Sequence, residues 1–243
     1  MLQLQKVSYA YETERILSDL TTTFRERTVY SILGKSGCGK TTLLKLASGL
    51  LTPTNGHIMY DKQSLRHPDA SFSYMFQNPN LLPWQTVLQN VCMPFVIRHR
   101  KDAMLEKRAL HLLSQMGIGA LAERYPDELS GGQRSRVALC RALMTNPRVL
   151  FLDEPFSALD VMTKEQLQDD LVALVQEREM TVIFITHDIE EAIIIADEIR
   201  VMEAGRFIYE EQNPLREQIV RRDTEQALSY KRLLRSVLEG AYA

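Results

Sequence analysis

The sequence predicts an α/β protein built on a parallel sheet, and three observations predict it. Five short, mostly apolar runs have strand length and alternate with helix-length segments: Val29–Leu33, Phe72–Phe76, Val149–Leu152, Thr181–Ile185 and Ile199–Met202. Several of these runs are apolar on both faces, as parallel strands covered by helices tend to be. The composition, 45% apolar and 25% charged over 243 residues, supplies a core and excludes disorder as the main state.

Along the chain, the first 60 or so residues differ from the rest. Leu2–Val7, Tyr9–Tyr11 and His57–Tyr60 read as short strands of an antiparallel flap. The first parallel strand, Val29–Leu33, leads into a helix over Thr41–Leu51. Between the second and third parallel strands, residues of about 85–145 form a mostly helical insert. The third strand is followed by a helix over Thr163–Glu179 and then by the last two strands. Beyond about 213, Leu228, Tyr230, Leu233, Leu234, Val237 and Leu238 fall among Lys231, Arg232 and Arg235. That is an amphipathic helix that packs on its own domain or meets a partner. No internal repeat, low-complexity tract or flexible linker interrupts the pattern.

Charge and cysteine usage narrow the function classes. With 29 Lys+Arg against 31 Asp+Glu the net charge is −2, which argues against a nucleic-acid binder that works by general electrostatics. Cys38, Cys92 and Cys140 make an odd number with no CxxC pair, so neither a disulfide framework nor a zinc site is expected. No stretch approaches the roughly 18 apolar residues of a membrane span, and the opening residues have no signal-peptide run. The expectation is a protein of the reducing cytosol; any work at a membrane needs another chain to span it.

Three strings carry chemistry. Gly34-Lys-Ser-Gly-Cys-Gly-Lys40-Thr41 fits G-x-x-x-x-G-K-[ST] between a strand and a helix, the context that pattern requires. Gly34, Gly37 and Gly39, with Lys35, Ser36 and Cys38 between them, let backbone N–H groups turn inward around phosphate oxygens. The helix N-terminus adds its positive end. Lys40 should reach the β- and γ-phosphates of a nucleotide, and the Thr41 hydroxyl should ligate Mg²⁺. Cys38, at a helix N-terminus, is expected to have a lowered thiol pKa, so that alkylation blocks activity and nucleotide protects. Cys92 and Cys140 read as buried apolar residues.

The second string, Val149-Leu-Phe-Leu-Asp153-Glu154, ends an apolar strand in two acids at the carboxyl edge of the sheet, where open α/β sheets bind ligands. Asp153 is expected to hold Mg²⁺ and Glu154 to polarise an attacking water as general base. The third, Leu129-Ser-Gly-Gly-Gln133, opens another helix with Ser130 as N-cap, and Gly131 and Gly132 allow close approach to something anionic. Arg134, Arg136 and Arg141, which follow, read as solvated or structural groups. A second phosphate-reading helix end in a chain with one P-loop suggests that it serves the nucleotide of another copy.

Together these strings resemble the motifs of nucleotide-binding subunits of ATP-binding cassette (ABC) transporters, over about residues 2–210. The resemblance implies an α/β P-loop NTPase (RecA-like) core with an N-terminal antiparallel β subdomain and an inserted α-helical subdomain. Residues 1–78 and 147–212 would form the core with its flap, 79–146 the helical signature subdomain and 213–243 a helical tail. Gly34–Thr41 is similar to the Walker A loop, with Thr42 at the position that touches the α-phosphate. Gln77 falls where the Q-loop glutamine senses Mg²⁺ and the attacking water. Leu129–Gln133 resembles the family signature, which implies that Ser130, Gly131, Gly132 and Gln133 meet the γ-phosphate held by the other subunit. Ser157-Ala-Leu-Asp160 resembles the D-loop, with Asp160 at the dimer interface. Thr186-His187-Asp188 resembles the switch region, where His187 contacts the γ-phosphate. Tyr11 sits where the family places an aromatic that stacks on adenine, and nearby Tyr9 is the rival stacker.

The resemblance also implies partners. Two ATPase subunits, as a homodimer, would sandwich two ATP molecules on the cytoplasmic face of the inner membrane, bound to integral membrane subunits and served by an extracytoplasmic solute-binding protein. Leu81, Leu82, Pro83 and Trp84, the chain's one Trp, form an apolar loop that either receives a helix of the membrane subunit or packs within the insert. The run Asn80–Trp84, the stretch Thr186–Ala192 and the short tail resemble importer ATPases for nitrate, sulfonates and taurine. A soluble ABC ATPase, such as one of iron–sulfur cluster assembly, is the alternative.

Overall fold

The computed structural model describes residues 1–98, 104–157, 159–218, 222 and 224–240. In chain order the elements begin with β1 (Leu2–Tyr11), β2 (Glu14–Phe24), β3 (Val29–Leu33), α1 (Lys40–Ala47), β4 (Asn55–Tyr60) and β5 (Gln63–Ser64). Then come β6 (Phe72–Met75), α2 (Val87–Ile97), α3 (Leu105–Gln115), α4 (Gly131–Leu143), β7 (Val149–Asp153) and α5 (Val161–Arg178). The chain closes with β8 (Thr181–Thr186), α6 (Ile189–Ile195), β9 (Glu198–Glu203), β10 (Arg206–Gln212) and α7 (Glu225–Leu238). These elements fall into two compact units, residues 1–70 with 180–243, and residues 71–179.

In the first unit, an antiparallel sheet of order β2-β1-β4-β5 forms the expected flap, with longer strands than the sequence indicated. The pairing of β1 with β2 slips between Leu4 and Val7 and again before Tyr9, where Lys6 and Asp19 adopt positive φ of 50° and 53°. These bulges break the period of two, so the buried residues of β2 run Leu17, Leu20, Thr22, Phe24, and alternation fails as a signal there. The parallel strands follow the sequence closely: β3 pairs with β8 on one side and β9 on the other, and every residue of β3 and β8 is buried. A two-residue turn at Ala204 and Gly205 returns β9 antiparallel as β10. The buried Arg200 guanidinium lies 4.7, 4.8 and 5.5 Å from the rings of Phe24, Tyr30 and Phe207, and pairs with Glu198 and Glu210. It ties β2 to the β9–β10 hairpin.

The tail helix packs on its own unit. α7 buries Ala227, Tyr230, Leu234 and Val237 at helical spacing and contacts α6. Leu228, which the apolar pattern assigned to the packed face, is 50% exposed instead. Its place falls to Ala227, whose small side chain sits on the buried stripe.

In the second unit β6 and β7 pair in parallel, from Phe72 against Val149 to Met75 against Leu152. The insert between them carries α2, α3 and α4, as expected. Thr86 and Gln89 form a capping box at the start of α2. Asn90, fully buried, explains how the loop before it is held. Its Oδ1 accepts the Leu82 N–H at 2.8 Å, and its amide nitrogen faces the carbonyls of Leu82, Gln85 and Thr86 at 3.0–3.1 Å. Among the described residues, no helix is long and apolar enough to cross a membrane.

Candidate functional site: a phosphate cradle and a carboxylate pair

The first unit holds the glycine-rich loop. β3 ends at Leu33, and the chain turns through Gly37 and Gly39, at φ of 80° and 104°, into α1. Lys40 is 6% exposed, and its ammonium donates to the carbonyls of Gly34 (2.7 Å) and Lys35 (3.0 Å). Among the described residues, no carboxylate pairs with it. The N-terminus of α1 has no side-chain cap and no acid in its first turn. A buried cation beside uncapped N–H groups at the positive end of a helix is an anion site, and phosphate fits it. Thr41 is exposed at this end and Thr42 is buried in the turn behind it. The Gly205 N–H donates to the Cys38 carbonyl at 3.0 Å, so the β9–β10 turn braces the loop.

Cys38 corrects an expectation. The helix end and Lys40 do pull its thiol down, but burial is the larger influence and raises it above the ordinary value of 9.0. The thiol is therefore a weaker nucleophile at neutral pH than its position in the loop suggested. Cys92 and Cys140 are buried, as expected.

Two other candidates lie in the same unit. Tyr11, 45% exposed near the end of β1, meets Tyr9 edge-on with ring centroids 5.0 Å apart. Tyr9 is the more buried of the pair and supports Tyr11 from the side. His187 is exposed between β8 and α6, the latter opening on the Asp188 side chain as N-cap.

The second unit brings two distant candidates together. Gln77 Nε2 donates to Glu154 Oε2 at 3.2 Å, across 77 residues of sequence. Glu154 follows β7 at a positive φ of 46°, a conformation that turns it off the strand line and costs a non-glycine residue about 1 kcal/mol. The Ser157 hydroxyl donates to its carbonyl at 3.1 Å and helps hold that turn. Asp153, 4% exposed at the strand end, accepts from the Tyr74 hydroxyl at 3.1 Å. A buried carboxylate is the kind of hard oxygen donor that a divalent cation such as Mg²⁺ takes.

The signature string opens α4 as anticipated. Ser130 Oγ accepts the Gln133 N–H at 3.2 Å, and Gln133 Oε1 accepts the Ser130 N–H at 2.9 Å. Gly132 has an internal reason to be glycine: a Cβ there would lie 2.6 Å from Thr163 Cγ2 on α5. Gly131 is half-buried beside it. Asp160 caps α5 by accepting the Thr163 N–H at 3.1 Å, and hydrogen bonds from Thr163 hold its carboxyl below the usual range. Position 158, inside the string that resembles a D-loop, lies outside the described residues.

The contacts of several supporting residues escaped the sequence reading, although the three arginines were read there as solvated or structural. Arg141 donates to the carbonyls of Pro79 and Asn80 and so pins the loop that carries Gln77. Arg136 pairs with Asp170 at 3.1 Å, and Arg134 donates to the Leu129 carbonyl, so the three arginines are structural. Tyr74 left a faint signal, a polar-tipped aromatic on a core strand. Asn90 left a clearer one, an amide among the apolar residues of α2.

A family model described as ABC transporter matches residues 17–157. The chain belongs to the ABC transporter family. The cassette is 38% identical over 242 residues to the aliphatic sulfonates import ATP-binding protein of Burkholderia pseudomallei (strain K96243), covering 100% of this chain and 72% of that one. It is 40% identical over 201 residues to the taurine import ATP-binding protein of Pseudomonas putida, covering 82% of this chain and 77% of the relative. Among solved structures, it superposes on a dimeric ATP-binding cassette in a post-hydrolysis state bound to ADP and Pi. That match has a TM-score of 0.79 and 32% identity, over 87% of this chain and 98% of the other. The cassette is thus an ATP-binding ATPase with the P-loop fold that its sequence motifs indicated.

Proposed function

We propose that this ABC ATPase powers the import of a small solute of the nitrate, sulfonate or taurine kind, or a related one. In this reading two copies act head to tail on integral membrane subunits, at the cytoplasmic face of the membrane, with an extracytoplasmic protein delivering the solute. The observation that carries the ATPase half is the buried Lys40 ammonium, which donates to the Gly34 and Lys35 carbonyls and to Cys38 Sγ at a helix end with no side-chain cap. The importer half is supported by 38% identity, over the whole of this chain and 72% of the relative, to a sulfonate import subunit.

Each residue then has a role that its local chemistry suits. Backbone N–H groups of Gly34 to Lys40, with the Thr41 and Thr42 turns, cradle the phosphates, and Lys40 holds the outer two. Tyr11 offers its open face to adenine. Thr41 and Asp153, aided by Gln77, would hold Mg²⁺, which neutralises developing charge on the phosphates. Glu154, steadied by Gln77, takes a proton from the attacking water. Ser130, Gly131, Gly132 and Gln133 meet the γ-phosphate bound by the second copy, His187 contacts the γ-phosphate of its own nucleotide, and Asp160 lies along the interface. The 69% exposed Trp84, on a loop held by Asn90, takes the stroke to the membrane subunit.

The test is to purify the tagged protein from mildly solubilised membranes of its native host and identify what accompanies it. A stoichiometric multi-span protein, with a binding protein for sulfonates or oxyanions, is the expected result. Recovery from the soluble fraction without a membrane partner would leave the ATPase standing and defeat the importer.

A further inference from the structure

The turn that carries His187 is wired to a buried acid outside the phosphate-handling set. β8 ends at Thr186 and α6 starts at Ile189, so only His187 and Asp188 span the gap. The buried Thr186 hydroxyl donates to the carboxylate of Glu191, which is itself only 4% exposed. The same hydroxyl oxygen accepts the Asp188 N–H at 3.0 Å, and Asp188 Oδ1 accepts the Glu190 N–H at 2.8 Å. The hydrogen bond to Glu191 commits the single Thr186 proton and leaves that oxygen's lone pairs for the Asp188 N–H. The direction of the chain is set at Glu191 and closes around the backbone of His187. Stability alone does not account for an acid here, because a buried carboxylate is costly to desolvate and a well-packed apolar pair often serves as well.

We propose that Glu191 is a positioning residue for hydrolysis: through the Thr186 hydroxyl and the Asp188 N–H it holds the His187 turn as the γ-phosphate requires. This rests on the reading of His187 as a γ-phosphate contact. Glu191→Leu, Glu191→Gln, the apolar pair Thr186→Val with Glu191→Leu, and His187→Ala test it in the full chain, by kcat, by KM for ATP and by Tm. Glu191→Leu and the apolar pair should lower kcat about 10- to 100-fold, the scale of a misplaced group, while KM stays near wild type. Glu191→Gln keeps an acceptor oxygen and should restore most of the rate. Added to His187→Ala, Glu191→Leu should lower the residual single-turnover rate no further. The apolar pair leaves no orphaned hydroxyl, so it keeps the test decisive if Glu191→Leu alone unfolds the chain. Wild-type kcat in the apolar pair, or a loss that adds in full to that of His187→Ala, would overturn the proposal. A normal rate in His187→Ala itself is a different failure: it removes the role of His187, and the proposal falls with it.

Discussion

Glu154 stands at the end of β7 with its backbone turned to positive φ and its carboxylate held by Gln77. With that geometry, Glu154→Gln should still bind ATP while turnover falls about 100- to 10,000-fold, the contribution of a positioned general base. Nucleotide binding and phosphate release, measured on the same preparation, check it; unchanged release would remove Glu154 as the base. Cys38 supports a second expectation, with its sign set by burial. A raised thiol pKa leaves little thiolate at neutral pH, so alkylation should be slow at pH 7 and accelerate as pH rises past 9.0, with ATP protecting. Burial pushes Cys92 up to about 11 and Cys140 to about 12, so Cys38 should still label first. Peptide mapping after timed labelling across pH measures both the order and the slope.

Among the elements, α6 shows how a short helix is made to stay. It has seven residues, too few to be stable alone, and both ends are tied by side chains. Asp188 caps the start. At the other end the buried Asn213 donates to the carbonyls of Ile193 and Ala196, each at 2.8 Å, while its Oδ1 accepts the Leu215 N–H. Asn213→Ala orphans these buried groups and should cost about 1–3 kcal/mol, read by chemical denaturation. Because α6 begins at the His187 turn, the same variant should also lower kcat. α4 is the opposite case, since its capping box is written in Ser130 and Gln133 and was legible at once. The antiparallel flap was half legible: β1 and β4 could be read, but bulges at Lys6 and Asp19 hid the pattern of β2. β10, an edge strand ending in Glu-Glu-Gln, carries too little apolar signal to read from sequence.

For the whole molecule, the output of the ATPase has to leave through an exposed surface, and Trp84 is the most conspicuous apolar side chain on the loop that follows Gln77. Asn90 fixes that loop without covering Trp84. Trp84→Glu should therefore abolish solute uptake in the assembled transporter while basal ATPase stays within about twofold, since a surface change rarely alters the fold. Paired transport and hydrolysis assays decide it, and joint loss of both would favour a packing role for Trp84.

The sequence by itself determined the family and the candidates for its chemistry: Lys40, Thr41, Asp153, Glu154 and Ser130 stand in strings whose residue types suit phosphate, a hard cation or a helix end. It determined the parallel strands too, because burial on both faces leaves an unbroken apolar run. The tertiary structure alone decided how those residues are held. Contacts such as Gln77 with Glu154, Arg141 with the Pro79 carbonyl, Asn213 under α6 and Glu191 behind Thr186 join positions that carry no shared local pattern. Hydrogen bonds between distant segments depend on where the chain has already folded, and burial can reverse a local expectation, as it does for the Cys38 thiol.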